Sequence, residues 1–264
     1  MKEKFAILTE TLKKNYGDLT AVKNLNLKIK YGETYGLIGP NGAGKTTTVR
    51  ILNCIIKPTS GSGKVLGFDL LKQSYDIKKN SGYLPESPAL YQKLNAVEYL
   101  EFVGELYYLQ KELIRSRTEE LLNLFQLEKR KDDLIEEYSR GMKQRLCLCA
   151  TLFHDPDIIF LDEPTSNLDP VAAKMVRDLI KNLSKKANKT IFICTHLLDI
   201  AEELCDRIGI IKEGSLELEG TIGEIINSNN ANNLEESYLK VFNSSDFTDL
   251  LSWRDEKLED QDKK

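Results

Sequence analysis

The spacing of apolar residues divides the chain into regions of different period. Residues 5 to 37 are β-rich, and Val22-Lys23-Asn24-Leu25-Asn26-Leu27-Lys28-Ile29 comes close to period two, which predicts a half-buried strand. Tyr31-Gly32-Glu33 reads as a turn, and Thr34 to Ile38 as the next strand. Lys45 to Ile56 has helical character and is stopped by Pro58; Gly61-Ser62-Gly63 reads as a turn and Lys64 to Gly67 as a short strand. Between residues 86 and 150 the strand signal fades, and helical spacing in Tyr99 to Leu109 and Leu113 to Phe125 predicts a helical insert. Continuous apolar runs then return at Ile158–Leu161, Thr190–Cys194 and Ile208–Ile211, separated by helical stretches. Short runs of this kind predict parallel strands covered on both faces. The Asn-rich stretch Asn227–Asn233 reads as a linker or frayed loop, and the charged end Asp255–Lys264 as disordered. No internal repeat is present, so the chain carries one unit of this organisation.

Length and charge narrow the function classes. The 264 residues suffice for one large domain or two small ones. A net charge of −4 with pI near 5.5 argues against a nucleic-acid binder. The five cysteines are odd in number and form no Cys-x-x-Cys pair, which reads as free buried thiols in a reducing compartment. No apolar run approaches the ~18 residues of a membrane span, and Met1-Lys2-Glu3-Lys4-Phe5 is charged with no apolar stretch behind it. The expectation is a soluble cytoplasmic protein, which needs a separate membrane-embedded partner if it acts on a membrane.

The strongest chemical signal is Gly39-Pro40-Asn41-Gly42-Ala43-Gly44-Lys45-Thr46-Thr47, between a predicted strand and a predicted helix. It fits G-x-x-x-x-G-K-[ST]. Glycines let backbone N–H groups curl around phosphate oxygens, and the helix N-terminus adds donors and a favourable dipole. Lys45 supplies a point charge for the β- and γ-phosphates, and Thr46 a hydroxyl for Mg²⁺. The second element is Asp157-Ile158-Ile159-Phe160-Leu161-Asp162-Glu163-Pro164, a buried strand ending in adjacent carboxylates. Ligands of open α/β sheets bind beyond the carboxyl ends of strands, so Asp162 is placed for Mg²⁺ and Glu163 for the attacking water as general base. By itself the same string also reads as a helix cap and turn.

Upstream of that strand, Tyr138-Ser139-Arg140-Gly141-Met142-Lys143-Gln144-Arg145 resembles the signature motif of ABC ATPases. Ser166-Asn167-Leu168-Asp169 is similar to that family's D-loop, His196 to its switch histidine, and Tyr16 to the aromatic residue that stacks on adenine. The match runs from about Phe5 to Gly220, and the motifs stand in the family's order. The resemblance implies an α/β fold: a P-loop NTPase core with a mostly parallel sheet, an N-terminal antiparallel β subdomain and an inserted α-helical subdomain. It implies an ATPase domain over residues 1–226 with the insert at about 86–150, followed by a polar, partly disordered extension over 227–264. It further implies ATP and Mg²⁺ as cofactors and a head-to-tail dimer with a second ATPase subunit, identical or different. Ser139 and Gly141, with Asp169, would meet ATP in that dimer. Independently, Met142, Leu146, Cys149, Ala150 and Phe153 recur at helical spacing, so a helix begins just after Ser139 and presents its N-terminus to an anion. Asp169 before Pro170 also reads as a helix N-cap.

Two departures are visible. Arg140 stands at the motif's first glycine, with Met142-Lys143 ahead of Gln144. Glu86, in Gly82-Tyr83-Leu84-Pro85-Glu86, replaces the family's usual glutamine, which touches Mg²⁺ and the membrane partner. Glutamate there resembles the drug, peptide and antibiotic exporter branch, as does Asn233-Leu234-Glu235-Glu236 to Phe242. The leading expectation is therefore the ATP-hydrolysing subunit of an exporter, peripheral on the inner face of the cell membrane, bound to a membrane-embedded permease and not to nucleic acid. The alternative is a soluble ABC ATPase acting on ribosomes or DNA, although such members usually carry two cassettes or long coiled coils. A GTPase is disfavoured because Asn188-Lys189-Thr190-Ile191 lacks the guanine-reading aspartate.

Overall fold

The computed structural model of the chain describes residues 4–87, 89–166 and 168–242; the charged end at Asp255–Lys264 lies outside them. The N-terminal alternation becomes β1 (Phe5–Tyr16), β2 (Leu19–Leu25) and β3 (Lys28–Lys30), with β1 antiparallel to both others. β4 (Thr34–Ile38), buried at every position, leads through the glycine-rich loop into α1 (Lys45–Leu52). This helix stops short of the expected Ile56. Cys54 adopts φ 54°, and the N–H groups of Ile55 and Ile56 both turn back to the Arg50 carbonyl, at 2.8 and 3.2 Å.

β5 (Ser60–Val65) and β6 (Phe68–Asp69) follow, giving a first sheet in the order β2-β1-β5-β6 with β3 on β1. Gly61-Ser62-Gly63, expected as a turn, lies inside β5. Gly61 sits at φ +84° against an irregularity of β1 where Thr11 itself has φ 48°, and a Cβ there would collide with the Thr11 carbonyl. The glycine permits close approach of two strands instead of reversing the chain.

α2 (Ser74–Asn80) and β7 (Ser81–Leu84) precede the predicted helical region, which contains α3 (Ala96–Leu106), α4 (Lys111–Leu124) and α5 (Arg140–Leu152). α3 begins before the expected Tyr99 because Asn95 and Glu98 form a reciprocal capping box. It ends before Leu109, where Tyr108 takes φ 56°. The rest of the chain alternates: β8 (Ile158–Asp162), α6 (Pro170–Lys185), β9 (Thr190–Thr195), α7 (Leu198–Leu204), β10 (Arg207–Lys212), β11 (Ser215–Gly220), α8 (Ile222–Ser228) and α9 (Leu234–Phe242).

The second sheet has the order β11-β10-β4-β9-β8-β7; it is parallel from β10 to β7, with β11 antiparallel at the edge. Its central strands are buried on both faces, which accounts for their continuous apolar runs. Ile158, Phe160, Phe192 and Cys194 pack with Ile7, Leu12 and Val22 of the first sheet and Val49 of α1. Ile159, Leu161, Ile191 and Ile193 pack with Leu146 and Phe153 near α5 and with Val176 and Ile180 of α6. The stretch Asn227–Asn233 is no free linker: α8 runs through Ser228, so the boundary expected at 226/227 falls inside a helix. α9 then buries Leu234 with Ile225, Ile208 and Ile210.

All five cysteines are free thiols. Burial pushes Cys147 up to about 12, and Cys149 and Cys194 well above the usual thiol value. Among the described residues, no helix is long and apolar enough to cross a membrane.

The packing at Gly61 generates a test. Gly17 also has positive φ (+55°), but a Cβ there meets nothing within 4 Å. Gly17→Ala should therefore cost only the left-handed backbone term, about 1 kcal/mol. Gly61→Ala adds a collision with the Thr11 carbonyl and should lower unfolding free energy clearly further, as urea denaturation would register; equal losses would contradict the close-approach role.

Candidate active site

Three parallel strands end side by side and bring the predicted residues together. In the sheet register, Ile38 of β4 is level with Thr195 of β9, and Cys194 of β9 with Asp162 of β8. The residues that follow those positions, Gly39, His196 and Glu163, therefore emerge at one edge of the sheet, at the carboxyl ends where α/β folds bind ligands.

The glycine-rich loop is braced from outside. Ala43 accepts a backbone hydrogen bond from Gly214 at 2.9 Å, and Gly214 in turn accepts one from Lys23 at 2.7 Å. Gly44, at φ 107°, passes so close to the Ala21 carbonyl that a Cβ would collide with it, and Gly39 stands in the same relation to the Ile211 carbonyl. Lys45, only 6% exposed, donates from Nζ to the Gly39 and Pro40 carbonyls at 2.6 and 3.1 Å. Its charge is thus held at the loop.

The loop opens on a cleft of about 410 Å³ lined by Tyr16, Asn41, Gly42, Gly44, Lys45, Thr46, Thr47, Glu86, Asp162 and Glu163, and also by Leu19 and Ala21. Gly39, Pro40 and Ala43 form the loop without lining the cleft. Tyr16 is 46% exposed, with Lys14 Nζ 5.0 Å from its ring centroid. Tyr16 thus lines the cleft with a half-exposed ring.

The two carboxylates differ in their partners. Asp162 is 1% exposed, and among the described residues neither side-chain oxygen has a hydrogen-bond partner. Burial raises its pKa. The nearby Thr46 hydroxyl offsets part of this without forming a well-aligned bond, and Glu86 and Glu163 add to the rise. A buried, unpartnered carboxylate beside a hydroxyl is the donor set that suits a hard divalent cation. Among the described residues, no group of three or more His, Cys, Asp or Glu could hold a metal alone.

Glu163 is 5% exposed but fully engaged. It takes the left-handed conformation, φ 50°, and its carboxylate turns to the end of β9. Oε2 accepts from Thr195 Oγ1 at 3.0 Å; Oε1 accepts from His196 N at 3.0 Å and His196 Nδ1 at 2.8 Å. This geometry adds Thr195 to the residues read from the sequence.

Ser139, Gly141 and Asp169 do not line the cleft. Ser139 is the exposed N-cap of α5, its hydroxyl accepting from Met142 N at 3.3 Å. Asp169 caps α6 through bonds from Ala172 and Val171 at 3.0 and 2.9 Å, which lower its pKa. Asn167 of the predicted D-loop lies outside the described residues.

Comparison with known proteins agrees with this geometry. Residues 22–166 match the family model described as ABC transporter. The bacitracin transport ATP-binding protein BcrA of Bacillus licheniformis is 41% identical over 80% of this chain and 68% of its own length. The daunorubicin resistance ATP-binding protein DrrA3 of Streptomyces coeruleorubidus is 37% identical over 83% and 69%. Among solved structures, an ATP-binding subunit of an ABC transporter superposes with TM-score 0.83 at 28% identity, covering 90% of this chain and 99% of that one. A dimeric ATP-binding cassette in a post-hydrolysis state with ADP and Pi gives TM-score 0.76 at 29% identity, over 81% and 98%. With the phosphate loop, the paired carboxylates and the capped signature helix all in place, the chain belongs to the ABC transporter family, as an ATP-binding and ATP-hydrolysing subunit.

Proposed function

We propose that this ATPase works with Mg²⁺ in the cleft below Tyr16, as one half of an ATP-sandwiching dimer that drives a membrane permease. The observation that carries the metal reading is the buried Asp162 carboxylate without a protein partner, beside Thr46. Thr46 and Asp162 would hold the ion, with Glu86 at the cleft wall; bound there, Mg²⁺ neutralises charge developing on the transferred phosphoryl group. The loop amides and Lys45 bind and orient the phosphates, Tyr16 stacks on the adenine, and Glu163 orients and deprotonates the attacking water with His196 beside it.

The exposed N-terminus of α5 supports a dimer. Ser139 and Gly141 lie outside the chain's own cleft, so a phosphate contact by them requires a second chain, as does one by Asp169. The solved relative with ADP and Pi is itself dimeric. A permease is supported by a groove of about 400 Å³ that includes Pro85, Tyr99, Leu106, Tyr107 and His154. Beside it, Tyr91, 59% exposed, lines a smaller depression with Leu94 and Phe102. Glu86 belongs to the wall of the ATP cleft, and Pro85 before it belongs to this groove. The short loop therefore touches both sites. The names of the relatives, bacitracin transport and daunorubicin resistance, support export of antibiotic-like compounds; on this reading the subunit sits on the inner face of the membrane and has no nucleic-acid partner.

Three outcomes test this reading. Lys45→Ala should reduce ATP turnover to background by removing the phosphate-facing cation; undiminished hydrolysis would remove the assignment of the cleft. Glu163→Gln should keep ATP binding, slow hydrolysis by at least ~100-fold and accumulate an ATP-bound dimer in sedimentation velocity. A species that stays monomeric with ATP, with or without the permease, would refute the sandwich. Glu86→Ala, reconstituted with the permease, should lower transport per ATP hydrolysed while leaving ATP affinity near wild type; an unchanged ratio and unchanged permease affinity would exclude a coupling role.

A further inference from the structure

The Glu163 carboxylate has three donors, and they are not equivalent. The His196 imidazole belongs to a side chain that is 48% exposed. A ring exposed to that extent has solvent beside it into which it can turn. The Thr195 hydroxyl is different: Thr195 is completely buried at the last position of β9. Its Oγ1 accepts a hydrogen bond from Leu197 N at 3.1 Å, so its single proton is directed at Glu163 Oε2, 3.0 Å away. The Leu197 amide thus sets the direction of the Thr195 hydroxyl, and the Thr195 hydroxyl sets the direction of the carboxylate. The strand holds this relay, because Asp162 and Cys194 are paired in register and Glu163 N donates to the Cys194 carbonyl at 2.9 Å.

We propose that Thr195 is a positioning residue for hydrolysis: it keeps Glu163 aimed when the His196 side chain turns away to the nucleotide. The inference rests on the reading of Glu163 as general base. Without the hydroxyl, Oε2 loses its one hydrogen-bond partner among the described residues, and the carboxylate keeps its Oε1 contacts. Rotation about those contacts displaces the oxygen that must face the water. Small misplacements of a reacting group cost orders of magnitude in rate while leaving substrate binding intact.

The test is steady-state ATPase of the full chain assembled with its permease. Thr195→Val keeps the shape and removes the donor. It should lower kcat roughly 10- to 100-fold with KM for ATP within about twofold. Thr195→Ser, which restores the donor, should recover most of the loss. In a Glu163→Gln background, Thr195→Val should cost nothing more, since the two residues act as a unit. A wild-type kcat in Thr195→Val, an undiminished further loss in the Glu163→Gln background, or a loss that appears only in KM would each overturn the proposal. A thermal melt checks folding, and Thr195→Ala is read the same way if the valine variant does not fold. If Glu163→Gln itself retains turnover, the general-base reading fails. If Glu163→Gln is slow but Thr195→Val is fully active, only the role of Thr195 fails.

Discussion

The site depends on the register of β4, β9 and β8. With Ile38 level with Thr195 and Cys194 level with Asp162, the glycine loop, the switch segment and the paired carboxylates leave the sheet in one layer. A slip of one residue in β8 would turn its alternate side chains to opposite faces and carry Asp162 out of that layer. The register is pinned because both faces of these strands are core: Phe160 and Phe192 fit the side of the first sheet, while Ile159 and Ile193 fit the side of the helices. This layer therefore inherits its precision from apolar packing well below it.

Three charged side chains are buried in that layer, and each is compensated differently. Lys45 uses the carbonyls of its own loop. Glu163 uses Thr195 and His196. Among the described residues Asp162 has no well-formed hydrogen bond, so its desolvation is offset only in part, by the nearby Thr46 hydroxyl and the Lys45 charge. Burying an ionised group without a partner is expensive. The unequal treatment separates the side chains the fold itself satisfies, Lys45 and Glu163, from Asp162, which it leaves open. The same distinction explains why Asp162 has its pKa raised by burial while the capping Asp169, bonded by Ala172 and Val171, has it lowered.

The parts of the site that could be read in the sequence are those encoded in short strings. The phosphate loop, the apolar strand ending in Asp162-Glu163 and the helix after Ser139 each carry their meaning within about ten residues, because strand, turn and helix cap are local events. Contacts between distant segments left no such trace. Nothing near Thr195 marks its bond to Glu163, and nothing near Gly214 marks its brace on Ala43. Gly61 misled because glycine serves both chain reversal and close strand approach, and only the position of Thr11 decides between them. The Asn-rich stretch is a connection between helices for most of its length, as its polarity indicates, while the apolar residues on either side, Ile225 and Leu234, anchor it to the sheet.

The cysteines offer a consequence of a different kind. Cys149 and Cys194 are wholly enclosed, and Cys147 is nearly so, each held as the neutral thiol by burial. A buried neutral thiol is inert to alkylation until its surroundings open. Cys194 stands directly before Thr195 in β9, whereas Cys147 and Cys149 lie in the signature helix α5. The protein thus contains its own chemical clock: the rate at which each thiol is labelled measures how often its segment opens. Followed through a cycle of ATP binding and release, those rates would separate loosening of β9 from loosening of α5.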